Sequence, residues 1–264
     1  IPARSGRPRP WPEWVGPEVV RAYGNLGISA PWSHQVQAAE LAHSGRHVVI
    51  STGTASGKSL AFQLPIIAAL HANPNERALY LSPTKALGHD QLRAAHSLLA
   101  DLPSLADAGP CAYDGDAPEE FRRFARERSR WLFSNPDMIH RSLLRNHARW
   151  AVFLRGLRYI VVDECHYYRG IFGSNVAMVL RRLLRLCEQH SPSGRAGPTV
   201  IFASATTASP GSTASELIGE TVVEVTEDGS PHGTRTVALW EPPLRTDVVG
   251  ENGAPVRRSA GNEA

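Results

Sequence analysis

Residues 48–62 read VVISTGTASGKSLAF, an apolar run that breaks into small residues, reaches a lysine and resumes as an apolar helical stretch. The spacing and flanks decide the reading: a strand, a bare loop and a helix, with Thr52-Gly53-Thr54-Ala55-Ser56-Gly57-Lys58-Ser59 ending in the Gly-Lys-Ser of a phosphate-binding loop. Small side chains let successive backbone N–H groups curl around phosphate oxygens, and the following helix turns its positive dipole end to the same anion. Lys58 then reaches the β and γ phosphates of ATP, and Ser59 offers its hydroxyl to Mg²⁺. The loop departs from the usual pattern at Thr52, where glycine or alanine commonly starts it, and at Ala55, where glycine is frequent. A plain turn carrying a solvated lysine fits this spacing less well.

Working outward, the runs HVVIS, RALYLS, RYIVVD and TVIFAS are short, apolar and barely alternating, as parallel strands covered on both faces should be. Helices are expected near 18–25, 33–43, 57–71, 85–100, 117–128 and 173–189. Strands are expected near 47–51, 77–81, 111–113, 130–133, 157–162 and 199–203, with further ones at 221–225 and 235–240. Alternating helices and strands imply right-handed crossovers and a doubly wound α/β sheet, with a ligand at the carboxyl ends of its strands. Residues 1–26 form an N-terminal extension in which Trp11 and Trp14 act as anchors, 27–226 the main domain, and 227–264 an extra strand with a Pro- and Gly-bearing linker or frayed tail.

Composition bounds the rest. The 264 residues suffice for a substantial core, and a formal charge of +3 is compatible with a polyanionic partner without demanding one. Lys58 and Lys85 are the only lysines. Cys111, Cys165 and Cys187 are widely spaced and odd in number, which suggests neither a disulfide framework nor a zinc knuckle and points to a reducing cytoplasm. No stretch approaches the ~20 continuous apolar residues of a membrane span.

A second motif stands in LRYIVVDECHYYRG, where Asp163 and Glu164 follow an apolar strand. Asp is a favoured helix cap, so the pair alone would be unremarkable. Beside a phosphate loop it suggests instead that Asp163 holds Mg²⁺ through its water shell and Glu164 orients and polarises an attacking water.

With DECH the chain resembles the DEAD/DEAH-box helicases of superfamily 2, whose first RecA-like domain carries further motifs in the same order. APWSHQ (30–35) resembles the Q motif and makes Gln35 the expected reader of adenine. SPTKALGHDQ (82–91) and SNPDMIH (134–140) are similar to motifs that grip a nucleic-acid backbone, which implies contacts through Pro83, Thr84, Lys85 and Ser134. Ser204-Ala205-Thr206 resembles the motif that couples hydrolysis to strand movement, with Ser204 and Thr206 as coupling residues and His166 linking the acidic motif to Thr206. Within the superfamily, TGTASGKS, YDGD and DECHYYRGIFGSNVAMVLRRL are similar to the MrfA-like, mitomycin-repair branch of DNA helicases and its fungal RecQ-related relatives. That resemblance implies 3′ to 5′ translocation on single-stranded or tailed DNA, a second RecA-like domain supplying arginine fingers, and poor hydrolysis by this domain alone.

Other features take plainer readings. In FRRFARERSR (121–130), mixed charges with Phe121 and Phe124 at helical spacing suggest a solvated helix with a buried edge more than a basic track. Cys165 reads as a small buried hydrophobe. Asp114 and Asp116 match a loop of the family without an assigned role, and Arg245, Arg257 and Arg258 have no motif context. An RNA helicase using the same chemistry, or a nucleotide-gated nucleic-acid-binding module without hydrolysis, stays open. A small-molecule kinase fits the later motifs poorly.

Overall fold

The computed structural model describes residues 1–115, 118–192, 194, 196–238, 241–249 and 252–257. They divide into two compact units, Gly6–Ser230 and a smaller one of Ile1–Ser5 with Pro231–Ala264. The larger unit begins inside the expected extension because Arg7–Arg9 pair with Pro31–Ser33: Arg9 N–H donates to the Pro31 carbonyl (2.8 Å) and Ser33 N–H to that of Arg7 (2.9 Å). Trp11 stacks on Tyr23 and Trp14 lies flat on His43, with ring centroids 5.5 and 4.2 Å apart.

In chain order the larger unit runs α1 (Pro17–Asn25), α2 (Ser33–His43), β1 (Val48–Ser51), α3 (Ser59–Ala72), β2 (Arg77–Leu81), α4 (Lys85–Ala100), β3 (Cys111–Ala112), α5 (Glu119–Glu127) and β4 (Trp131–Ser134). It continues through α6 (Pro136–Met138), α7 (Ala151–Gly156), β5 (Leu157–Val162), α8 (Gly170–His190), β6 (Thr199–Ser204), α9 (Pro210–Ile218) and β7 (Val223–Val225). The seven strands form one parallel sheet in the order β3-β4-β2-β5-β6-β1-β7. The expected doubly wound α/β architecture is therefore present.

The absence of apolar alternation follows from burial on both sides. Val48, Ile50, Tyr80, Tyr159, Val161 and Ile201 enter one hydrophobic layer, packed with α1 to α4. Val49, Leu79, Ile160, Val162, Val200 and Phe202 enter the other, packed with α7 to α9. Register then sets the site: Leu81 pairs with Val162 and Ser51 with Ser204, while Val162 pairs with Phe202, so β1 and β6 run two residues past β2 and β5, and Asp163 emerges beside the last residues of β6. Neighbouring strands lie roughly 4.8 Å apart, which sets the ends of β2, β5, β6 and β1 side by side.

Three expectations change. Helices α6, α7 and α9 occupy stretches read as connections; α9 starts on Pro210, a residue suited to a first helical position, and buries Ala214, Leu217 and Ile218. No strand forms over 235–238, where Val237 is 72% exposed; Leu239 and Trp240 lie outside the described residues. The smaller unit instead holds an antiparallel pair, β8 (Leu244–Val249) with β9 (Pro255–Arg257), in what was expected to be a linker or tail. Arg257 donates to the Pro242 carbonyl in that pair, and Arg258 is outside the described residues.

Candidate functional site

The loop after β1 is held from behind and open in front. Ala55 and Gly57 adopt left-handed backbone, with φ of 61° and 77°. Gly57 is required there, since a Cβ would stand 2.6 Å from Gln35 Nε2. The hydroxyls of Thr52 and Ser56, both buried, meet at 2.7 Å across the loop. Lys58 Nζ donates to the carbonyls of Thr52 (3.1 Å) and Gly53 (3.0 Å), so the ammonium spans the loop's mouth. No side chain caps the first turn of α3, whose N–H groups suit an anion.

Gln35, the expected adenine reader, stands behind the loop. Its Nε2 donates to the Gly57 carbonyl (2.8 Å) and its Oε1 accepts from Trp32 N–H (2.7 Å), so the amide braces the loop. The preceding residue, His34, which the sequence reading passed over, holds the Ser56 carbonyl at 3.1 Å.

At the end of β5, Asp163 is buried and accepts from Tyr80 Oη, with the Glu164 N–H closing on its other oxygen at 2.8 Å. Burial pushes the Asp163 carboxyl above its usual range against the pull of these two hydrogen bonds, and burial followed by the facing carboxylate pushes the Tyr80 phenol up. Each Asp163 oxygen keeps a further lone pair. Glu164 has left-handed backbone (φ 49°), and its carboxylate lies 3.2 Å from His166 Nδ1. That same nitrogen accepts from Ala205 N–H at 3.2 Å, so one imidazole edge faces both the acid motif and the residue after β6. The expected link from His166 thus runs to the Ala205 main chain and not to Thr206. Ser204 is buried and donates to the Ala205 carbonyl (2.8 Å), which also accepts from Ser51 Oγ (2.9 Å). Cys165 is buried beneath, its thiol pushed up to about 12 by burial.

A cavity of about 450 Å³ collects these groups: Thr54 to Ser59, Asp163, Glu164, His166 and Ala205, with Pro83 and Thr84. Its size suits a small-molecule ligand. Gln91 also lines it, and its Oε1 is buried with no hydrogen-bond partner among the described residues. No group of three or more His, Cys, Asp or Glu that could hold a metal occurs among the described residues, so a cation here would draw on Ser59, Asp163, ligand oxygens and water. A hydroxyl and a carboxylate fit Mg²⁺, which prefers few protein oxygens.

Three of the expected backbone-gripping residues, Thr84, Lys85 and Ser134, line one small cleft, and Pro83 lies beside the larger cavity. Thr84 caps α4, accepting from Leu87 N–H at 3.3 Å, and Pro83 and Thr84 face the cavity above. Lys85 is exposed at the start of α4 and lines a small cleft with Ser134 and Asn135. Ser134 is buried and donates inward to the Tyr113 carbonyl (2.6 Å), because β3 has ended beside it and leaves that oxygen without a ladder partner. Asp114 meets His89 at 3.3 Å, while Asp116 lies outside the described residues. Phe121 and Phe124 are 55% and 41% exposed, and Ala125 is the buried residue of α5; the expected phenylalanine edge faces an apolar groove toward Leu92 of α4.

A DEAD/DEAH box helicase model matches residues 32–213. The chain is 42% identical over 245 residues to the ATP-dependent helicase HRQ1 of Saccharomyces cerevisiae, covering 92% of this chain and 22% of that protein. It is 35% identical over 260 residues to the uncharacterized ATP-dependent helicase YprA of Bacillus subtilis, covering 98% of this chain and 33% of YprA. The crystal structure of the DUF1998 helicase MrfA bound to DNA and AMPPNP superposes with a TM-score of 0.91 at 35% identity, over all of this chain and 35% of that one.

Proposed function

Because the chain belongs to the DEAD/DEAH box helicase family, we propose that it is the first motor domain of an ATP-dependent superfamily 2 DNA helicase or translocase, moving 3′ to 5′ in DNA repair. The observation that carries this reading is the single cavity shared by the phosphate loop, the acid pair, His166 and Ala205. We take 27–226 as the motor domain, 1–26 as its extension and 227–264 as the stretch toward a second RecA-like domain. The chain spans about a third or less of these two relatives' length, which supports a larger whole. The odd number and wide spacing of Cys111, Cys165 and Cys187 support a cytoplasmic setting.

In this reading the loop N–H groups and Lys58 bind the phosphates, and Ser59 with Asp163 would hold Mg²⁺, which supplies charge neutralisation when bound. Glu164 orients and polarises water, Asp163 is kept in place by Tyr80, and His166 passes the state of the acid motif to Ala205 and so to β6. Phosphoryl transfer depends chiefly on such positioning and charge stabilisation. Lys85 contributes to phosphate contacts that are salt-sensitive and largely sequence-independent. DNA is favoured over RNA by the DNA-bound MrfA relative. ATPase assays of the full-length protein, comparing single-stranded DNA with RNA of the same length, test this. Stimulation by DNA is expected, and stimulation by RNA alone would defeat the DNA assignment.

A further inference from the structure

The back of the phosphate loop is gripped at two consecutive carbonyls, Ser56 by His34 and Gly57 by Gln35. In a trans peptide the C=O and the next N–H point in opposite directions. Holding these carbonyls against α2 therefore turns the N–H groups of Gly57 and Lys58 the other way, toward the phosphate side. His34 does more than brace. Its ring is wholly shielded from solvent, and Gly229 N–H donates to Nδ1 at 3.1 Å, which leaves the ring proton on Nε2 to be given to Ser56. One imidazole thus joins the loop to residues 227–230, the strap that follows β7.

The strap is itself fixed. Gly229 accepts from Arg7 N–H (2.7 Å), and a Cβ on it would stand 2.2 Å from Ser33 Oγ. Asp228 Oδ1 accepts from Ser230 N (2.8 Å) and Oγ (2.7 Å). Its other oxygen lies 3.3 Å from where a Cβ on Gly53 would be. The Arg7 guanidinium reaches Glu227 (3.1 Å) and the Asp228 carbonyl (3.2 Å).

We propose that His34 is a positioning residue that couples the phosphate loop to the strap at 227–230, so that phosphate binding and strap order rise and fall together. The coupling is reciprocal: whatever free energy a nucleotide gains from the held loop, it returns to the strap. The proposal rests on nucleotide binding at the loop as read above.

The test uses a fluorescent ATP analogue for affinity and hydrogen exchange at the Gly229 amide for the strap, in wild type, His34→Gln, His34→Asn and Gly229→Ala. Glutamine places its amide near Nε2 and keeps the donor to Ser56; asparagine places its oxygen near Nδ1 and keeps the acceptor for Gly229. In wild type the analogue should slow exchange at Gly229. His34→Asn should lose about tenfold in affinity, the worth of roughly one good hydrogen bond, while keeping basal Gly229 protection. His34→Gln should weaken the analogue several-fold, as Gly229→Ala does, because the strap no longer supports the loop, and should lose Gly229 protection and its response to nucleotide. Gly229→Ala, which leaves His34 intact and is crowded by Ser33, should weaken the analogue several-fold even where a His34 variant fails to fold. Equal Gly229 protection in the Asn and Gln variants, or analogue binding to wild type with no change at Gly229, would overturn the coupling alone. Failure of wild type to bind the analogue would overturn the functional reading together with it.

Discussion

Tyr80 of β2 donates its hydroxyl to Asp163 just past the end of β5, and the sheet makes that meeting unavoidable. Tyr80 is paired with Val161, and Asp163 lies two residues on, so the two side chains project to the same face. Replacing Tyr80 by Phe would leave a buried carboxylate oxygen short of its donor. We expect a stability loss of about 1–3 kcal/mol, with weaker Mg²⁺-dependent nucleotide binding. Urea denaturation and nucleotide titration check this, and wild-type values in both would remove Tyr80 from the site's support.

Lys58 and Glu164 should separate binding from turnover. Lys58→Ala removes a charge and two loop-spanning hydrogen bonds, so nucleotide affinity should fall roughly ten- to hundredfold. Glu164→Gln should preserve affinity and lower turnover by about 10² or more, since it removes the base. Calorimetric binding and DNA-stimulated ATPase of the full-length protein measure the two; unchanged hydrolysis in both variants contradicts the assignment.

Left-handed backbone at positions 55 and 57 predicts opposite signs. A non-glycine residue in this region costs about 1–2 kcal/mol, partly offset by the flexibility glycine gives the unfolded chain. Ala55→Gly should therefore be neutral to stabilising by about 0.5 kcal/mol. Gly57→Ala should cost more than about 1 kcal/mol, because its Cβ also meets Gln35 at 2.6 Å. Chemical denaturation that shows the same sign for both would contradict the loop conformation.

His147 Nδ1 and His190 Nε2 lie 3.0 Å apart and share one proton between them. Burial, then His147 and Arg155, hold the His190 imidazole below its ordinary value, and burial with Arg158 does the same for His43. A folded-state value below the unfolded one means stability is complete above the ordinary value of 6.5 and is lost as pH falls from there through the folded values. Thermal midpoints recorded from pH 8 to pH 5 should fall below about 6.5, with a shallower decline in His190→Gln. A flat profile in wild type would contradict both shifts.

The loop and the acid pair were legible because their chemistry is local, set by residues within a few positions of one strand end. Partners that reach across the fold were not. Tyr80 and Asp163 are separated by 83 residues and His34 and Gly229 by 195, and no periodicity links such positions. Ser134 and Gln35 were placed by motif, yet their polar atoms serve Tyr113, Gly57 and Trp32. The strand expected at 235–240 had the right residue types yet does not form over 235–238, since strand propensity depends on the neighbours a segment finds. Phe121 and Phe124 have helical spacing, but periodicity does not say which side of α5 meets the core.

The sheet closes at its margins on β3, two residues long, and β7, three residues long. Such stubs offer a passing chain almost no unpaired main chain to latch onto, so an aggregation seed has little purchase on either side. A variant that lengthened one of these stubs into a flat apolar strand would trade that safeguard for a template on which further copies could polymerise.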